Sequence, residues 1–219
     1  MKKILNRKRI LITAGPVWVP IDKVRIITSI FGGVLGAVMA EEAQKLGANV
    51  LLMMGPGRVN IQSGERLKIV RFKYFKELFD LMKKEVSSEK YDVVIHSAAV
   101  PDYIPEKIYN GKIKSGKNNL IIKLKPTVKI IDHVKKWDPS VCLVKFKLQV
   151  GKQEKELIKI AKKSMVHSKA DVIVANDLLK MKDKTHKAFI ISENGSKKVN
   201  TKDNLAKELL KIIGSEISV

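Results

Sequence analysis

The chain has one cysteine, four histidines and only 5% aromatic residues among its 219 positions. A lone cysteine excludes an internal disulfide, and Cys142 sits inside the apolar run VCLVKF, where a buried thiol is expected rather than a nucleophile. His96, His133, His167 and His186 share no metal-binding spacing, so no residue set is assigned as metal ligands. No Gly-x-Ser-x-Gly elbow supports a hydrolase. No apolar run approaches the length of a membrane span, and the basic start MKKILNRKR has no long apolar stretch behind it. A soluble, cytoplasmic protein is therefore expected. Arginine is scarce as well: Arg7, Arg9, Arg25, Arg58, Arg66 and Arg71 are the whole set, although Lys+Arg reach 43 against 22 Asp+Glu and the net charge is +21. Such a surface attracts anions, but phosphates and bases are read bidentately by arginine. With few aromatics interleaved, the lysine excess reads as solvated surface, and a nucleic-acid partner is not favoured.

Hydrophobic residues make up 45% of the chain, enough for a sizeable core, and they alternate between strand-like and helix-like runs. Strands are expected at 9–14, 49–54, 67–72, 92–100, 141–148 and 171–175. Helices are expected at about 33–46, 74–86, 129–137 and 153–168. The tail reads as a hairpin around Asn194-Gly195, then a helix capped by Thr201. Nearly continuous apolar strands alternating with helices predict an α/β fold, a doubly wound and mostly parallel Rossmann-like sheet with helices on both faces. Residues 101–126 interrupt the alternation. Their short runs, 112–114 and 120–125 joined by SGKNN, predict a projecting flap hairpin. No linker divides the chain, so residues 1–219 read as a single domain with a basic tail at 1–8.

In such sheets ligands gather beyond the carboxyl ends of the strands, where a helix start offers free N–H groups to an anion. This draws attention to Gly15 through Gly36 with Arg25, although Gly32, Gly33 and Gly36 could equally serve close helix packing. Four other features stand at strand ends or in following loops. They are His96-Ser97-Ala98-Ala99-Val100 with Asp102, the flap cation Lys112, Phe146, and Ala175-Asn176-Asp177. Each has a plainer explanation: Arg25 pairing with Asp22, Lys112 as a solvated lysine, Phe146 as core, and Asn176 and Asp177 capping a following helix. A nicotinamide fingerprint is poorly matched, since GPVWVP follows the first strand and MMGPGR the second, leaving only Arg58 to meet a 2′-phosphate.

Taken together, ITAGPVWVPIDKVRIIT, FGGVLG, HSAAVPDY, GKIKSG, KFKL and ADVIVANDL resemble, in that order and from Arg9 to about Ile213, the phosphopantothenoylcysteine synthetase family, the phosphopantothenate-cysteine ligases of coenzyme A biosynthesis. The family domain is often fused behind a flavin-dependent decarboxylase; the resemblance implies a stand-alone ligase here, with no bound flavin and a separate decarboxylase. It implies a homodimer that activates 4′-phosphopantothenate with CTP or ATP and Mg²⁺, releases pyrophosphate, and couples the acyl nucleotide to cysteine. Position by position, it implies Lys112 and Ser29 as catalytic residues and Arg25, Ser29 and Ala99 as phosphopantothenate contacts. It puts the nucleotide on Gly15, Gly32, Gly33, Ser97, Ala98, Asp102, Lys112, Val128, Lys129, Ile130, Ile131 and Phe146. Two departures stand out. Ser29 replaces an asparagine tied to the acyl intermediate. Ser164 and Ser168 fall where some bacterial members carry triphosphate-facing lysines, with Lys163 and Lys169 the neighbouring substitutes. The rivals are a nucleotide-binding relative with altered or lost ligation, and a nicotinamide-dependent oxidoreductase.

Overall fold

The computed structural model describes residues 3–57, 59–116, 118–182 and 185–217; Arg58, and Lys117 of the SGKNN turn, lie outside the described residues. In chain order the elements are β1 (Arg9–Ala14), β2 (Val19–Pro20), β3 (Ile26–Ile27), α1 (Val34–Lys45), β4 (Asn49–Met54), β5 (Leu67–Arg71), α2 (Phe75–Val86), β6 (Val93–His96), β7 (Tyr103–Pro105) and β8 (Leu124–Pro126). They continue with α3 (Ile131–Trp137), β9 (Cys142–Gln149), α4 (Glu154–Ser168), β10 (Val172–Lys182), β11 (Thr185–Ser192), β12 (Gly195–Val199) and α5 (Lys202–Glu216).

Eight strands form one sheet in the order β12-β11-β10-β9-β6-β1-β4-β5. The six from β10 to β5 run parallel, and β11 and β12 add an antiparallel edge. Period-two alternation sends Ile10, Ile12 and Ala14 to the face covered by α1 and α5, and Leu11 to the face covered by α2 and α3. Both faces are thus apolar, which is why the parallel strands read as continuous hydrophobic runs. Thr201 caps α5 as expected, its Oγ1 accepting from the Asn204 amide at 3.2 Å. Cys142 is buried, and desolvation raises its pKa to about 12, which leaves the thiol unreactive. No described helix is long and apolar enough to cross a membrane.

The chain runs from β1 out to β4 and β5, then returns to place β6 on the other side of β1. That reversal of strand order opens a crevice at the carboxyl ends of β1 and β6.

Three expectations need correction. The flap's paired strands are β7 and β8, not runs at 112–114 and 120–125. Residue 113 is drawn elsewhere: Ile113 N–H donates to Asp22 Oδ2 (3.0 Å), and the Arg25 guanidinium donates to Ile113 O (3.4 Å). No helix follows Asn176 and Asp177, because β10 continues to Lys182. Asp177 instead accepts from the Lys152 and Leu179 amides (2.6 and 2.9 Å), tying the loop after β9 to β10. The basic tail expected at 1–8 is, over its described residues 3–8, packed on the domain, for Leu5 is fully buried and its N–H donates to Leu46 O at 3.1 Å.

Candidate active site

The cleft at the strand reversal has a volume of about 650 Å³. Its walls include Gly15, the segment 30–36, Ser97–Asp102 and Val128–Asp132, with Phe146 from β9 behind them. Local chemistry holds each wall in place. Ser97 donates its hydroxyl to Thr13 O (2.7 Å), and the Ala98 N–H donates to Thr13 Oγ1 (3.2 Å), so the turn after β6 is sewn to β1. Thr13 Oγ1 also shares a 2.9 Å hydrogen bond with His96 Nδ1. Burial and the Lys145 charge lower the His96 pKa to about 4, so the ring is neutral at pH 7. The turn at Val128–Ile131 closes through Asp132 N–H to Lys129 O and His133 N–H to Ile130 O.

The glycines divide between packing and openness. Gly33 has φ +84°, and a Cβ there would lie 2.9 Å from Gly15 Cα and N; at Gly36 a Cβ would lie 2.2 Å from Ala14 Cβ. These two serve the close approach of α1 to β1. A Cβ at Gly32, by contrast, meets nothing within 4 Å, and Gly32 lines the cleft. The first turn of α1 carries no acidic residue and no side-chain cap, so amide groups at Val34, Leu35 and Gly36 remain for an anion.

Several sequence candidates thus come together, namely Gly15, Gly32, Gly33, Ser97, Ala98, Ala99, Asp102, Val128, Lys129, Ile130, Ile131 and Phe146. Phe146 meets both readings, lining the cleft while packing on the core. Ile130 is also core, at 1% exposure. The Ala99 backbone is already engaged, its N–H donating to Gly15 O and its carbonyl accepting from Val17 N–H. Asp102 stays open and faces Lys129 Nζ at 3.5 Å.

Arg25, Ser29 and Lys112 are not among the cleft walls. Arg25 does pair with Asp22, at 2.5 Å. The buried Asp22 carboxylate also accepts from the amides of Ile113, Val24 and Arg25, and with these donors its pKa falls far below the usual carboxylate range. Asp22 therefore clamps the flap residue next to Lys112 onto the loop that carries Arg25, forming a second platform with an exposed Lys112. The Ser29 hydroxyl is buried without a partner among the described residues.

Sequence reasoning missed Lys145. Neither Lys163 nor Lys169 lies on the cleft; instead the Lys145 amine, 7% exposed, donates to Ser164 O (3.1 Å) and Ser168 Oγ (3.0 Å) from β9. Desolvation lowers its pKa. A lysine inside the otherwise apolar run CLVKF was the available signal. A second depression, about 740 Å³, lies at the amino ends of the strands, where Lys8 pairs with Asp92.

A parallel sheet reversing its strand order over a glycine-floored cleft defines an α/β domain of the Rossmann-like class, with that cleft beyond the carboxyl ends of its strands. More particularly, the chain belongs to the DNA/pantothenate metabolism flavoprotein C-terminal domain family, which matches residues 5–216. It is similar to the coenzyme A biosynthesis bifunctional protein CoaBC of Thermococcus kodakarensis, at 36% identity over 209 residues, covering 94% of this chain and 51% of that protein. A crystal structure of a DNA/pantothenate metabolism flavoprotein from Streptococcus pneumoniae superposes with TM-score 0.88 at 32% identity, covering 95% of this chain and 99% of that one. The C-terminal domain of a CoaBC protein superposes with TM-score 0.81 at 28% identity, covering 99% of both chains. The chain spans about half the length of the curated relatives it matches.

Proposed function

We propose that the chain is a phosphopantothenate-cysteine ligase of coenzyme A biosynthesis, with residues 1–219 acting as one ligase domain. The observation that carries this reading is the end-to-end match to the C-terminal domain of a CoaBC protein, joined to a cleft whose open glycine and free helix amides suit a phosphate. A carboxylate is a poor acyl donor, so the 4′-phosphopantothenate carboxylate oxygen attacks the α-phosphorus of CTP or ATP and pyrophosphate leaves. The cysteine amine then attacks the acyl carbon, the nucleoside monophosphate leaves, and the amine proton is lost to form the amide.

In this reading the amides of Val34, Leu35 and Gly36 and the open backbone at Gly32 hold the triphosphate, while Ser97, Ala98 and the 128–131 turn flank the nucleotide. Lys112 offsets charge on the transferring phosphate, and Arg25 holds the acid substrate. The buried, unpartnered Ser29 hydroxyl supports a hydrogen bond to the acyl group. Mg²⁺ fits the cleft: Asp102 lines it with an open carboxylate and Asp132 with a buried oxygen, Oδ1, that has no partner among the described residues. One or two carboxylates plus phosphate oxygens are the usual magnesium set. When bound, the ion neutralises phosphate charge. A homodimer belongs to the same reading, supported by the exposed apolar Val24, Ile30, Ile108 and Ile121 on the loop and flap that carry Arg25 and Lys112.

The test is pyrophosphate release with Mg²⁺ and 4′-phosphopantothenate, comparing CTP with ATP, with and without cysteine, on the wild type and on Lys112→Gln. Release that needs phosphopantothenate, a coupled product that needs cysteine, and loss of both in Lys112→Gln are expected. Pyrophosphate without coupling would assign the chain to the relatives with lost ligation. If neither triphosphate is consumed, the ligase reading fails.

A further inference from the structure

His186 is 3% exposed, yet neither ring nitrogen has a hydrogen-bond partner among the described residues. Only its backbone is used, the N–H donating to Asn200 O at 2.7 Å. An orphaned buried polar group costs free energy, and an apolar side chain of similar size would avoid that cost. Its place in the fold explains why a polar ring sits there. On the α1/α5 face of the sheet, Val172 and Val174 of β10 and Ala188 and Ile190 of β11 belong to the core. Alternation continues that face outward to Asn176 and His186, beside Phe146 and Leu148 of β9, and all four line the cleft. The β10–β11 pairing shifts register between Asn176 and Met181, and Met181 then stands opposite His186. The imidazole is therefore held at the mouth of the core rather than in it.

This corner differs from the phosphate-binding side of the cleft. It offers a neutral ring, a carboxamide and apolar walls, with the Asn176 amide resting on the Met181 sulfur and Lys202 as a nearby cation. Burial and the Lys202 charge lower the His186 pKa to about 4, so at pH 7 the ring presents one N–H donor and one acceptor nitrogen. A planar heterocycle with apolar faces and a polar edge complements such a slot better than a phosphate or carboxylate would.

We infer that His186 is a specificity residue for the nucleoside triphosphate, its ring nitrogens hydrogen-bonding the polar edge of the base in the slot between Phe146, Leu148 and Asn176. This rests on the ligase reading and adds to it a residue that contacts the base.

The test uses the whole chain. Dissociation constants for CTP, ATP and inorganic tripolyphosphate, each with Mg²⁺, are measured by titration calorimetry on the wild type, His186→Leu and His186→Gln, alongside the melting temperature without ligand. His186→Leu is expected to weaken the better nucleotide about tenfold or more, since the base edge loses its partner. Tripolyphosphate binding stays unchanged, and the unliganded melting temperature equals or exceeds that of the wild type. His186→Gln, which keeps a donor and an acceptor, recovers most of the affinity. The inference is overturned if nucleotide affinity is the same in His186→Leu, if tripolyphosphate weakens equally, or if His186→Leu melts well below the wild type, which would make the ring a core element. A folded wild type that binds neither nucleotide overturns the ligase reading itself, and this inference with it.

Discussion

Gly33 and Gly32 are adjacent, and substituting each by alanine should give opposite results. At Gly33 the added methyl meets two obstacles. The backbone has φ +84°, which a side chain tolerates poorly, and the Cβ would stand 2.9 Å from Gly15 Cα and N and 3.1 Å from Met54 Sδ. Two of those neighbours are backbone atoms of the turn after β1, which is itself pinned by Gly55 N–H donating to Ala14 O at 2.8 Å. Backbone strain of about 1–3 kcal/mol and overpacking of about 1–3 kcal/mol sum to roughly 2–6 kcal/mol. For a chain of this length, each kcal/mol moves the melting temperature by about 2–4 °C, so a fall of at least about 4 °C is expected. At Gly32 the Cβ meets nothing within 4 Å and no left-handed backbone is required. Gly32→Ala should therefore melt within about 2 °C of the wild type, corresponding to roughly ±0.5 kcal/mol. Its methyl nevertheless projects where an anion would sit, so nucleotide affinity should drop. Thermal unfolding by circular dichroism and calorimetric titration read the two effects separately. A Gly33→Ala variant as stable as the wild type would refute the assignment of Gly33 to packing. Unchanged nucleotide binding in Gly32→Ala would refute its assignment to the cradle.

Asp22→Asn should free the flap, because Asp22 Oδ2 accepts from both the Ile113 amide and the Arg25 guanidinium; tryptic cleavage at Lys112 and Lys114 should accelerate while the main unfolding transition persists. Since the folded pKa of Asp22 is depressed, its stabilising effect is present above the ordinary carboxylate pKa and is lost as pH falls through the folded value. The wild-type flap should therefore also become protease-sensitive in acid, as a pepsin digestion series would show. His96 behaves with the same sign by a different cause. Its pKa is about 4 folded against 6.5 for an unperturbed imidazole, so the unfolded chain binds more protons between those values and stability rises with pH across them. Between pH 7 and pH 5 His96 should account for a loss of about 2 kcal/mol in urea denaturation; His186, lowered likewise, adds to the slope, so His96→Gln should remove only the His96 share. A wild-type stability independent of pH in this range would refute the burial of a neutral ring.

Much of the fold could be read from hydrophobic periodicity. Runs such as ILITA and VLLMM are apolar at every position because both faces of a parallel sheet are covered, and the chain alternates them with helices. The cleft walls were legible for a related reason: in a doubly wound sheet, the loops after strands must converge at the carboxyl edge, where Gly15, Gly32, Ser97, Ala98, Asp102 and Phe146 line one cleft.

Long-range pairing was not legible. Ile113 belongs to a run that looks like a hairpin strand, but Asp22 and Arg25, about ninety positions earlier, take its amide and carbonyl, and local pattern carries no term for such a competitor. Asn176 and Asp177 have the composition of a helix cap, yet β11 was available to extend β10 past them. Whether a glycine serves packing or a ligand depends on what stands within 4 Å of an absent Cβ, which separates Gly33 from Gly32 although the two are neighbours in sequence. The partners of Lys145, Ser164 and Ser168, and the place of His186 opposite Met181 and on the same cleft as Asn176 were set by the sheet. The sequence by itself determined the sheet, its helical covers and the edge at which the cleft opens, because these follow from periodicity and chain order. The tertiary structure alone decided which polar groups are left unpaired at that edge, because hydrogen-bond satisfaction is settled by neighbours distant in the chain.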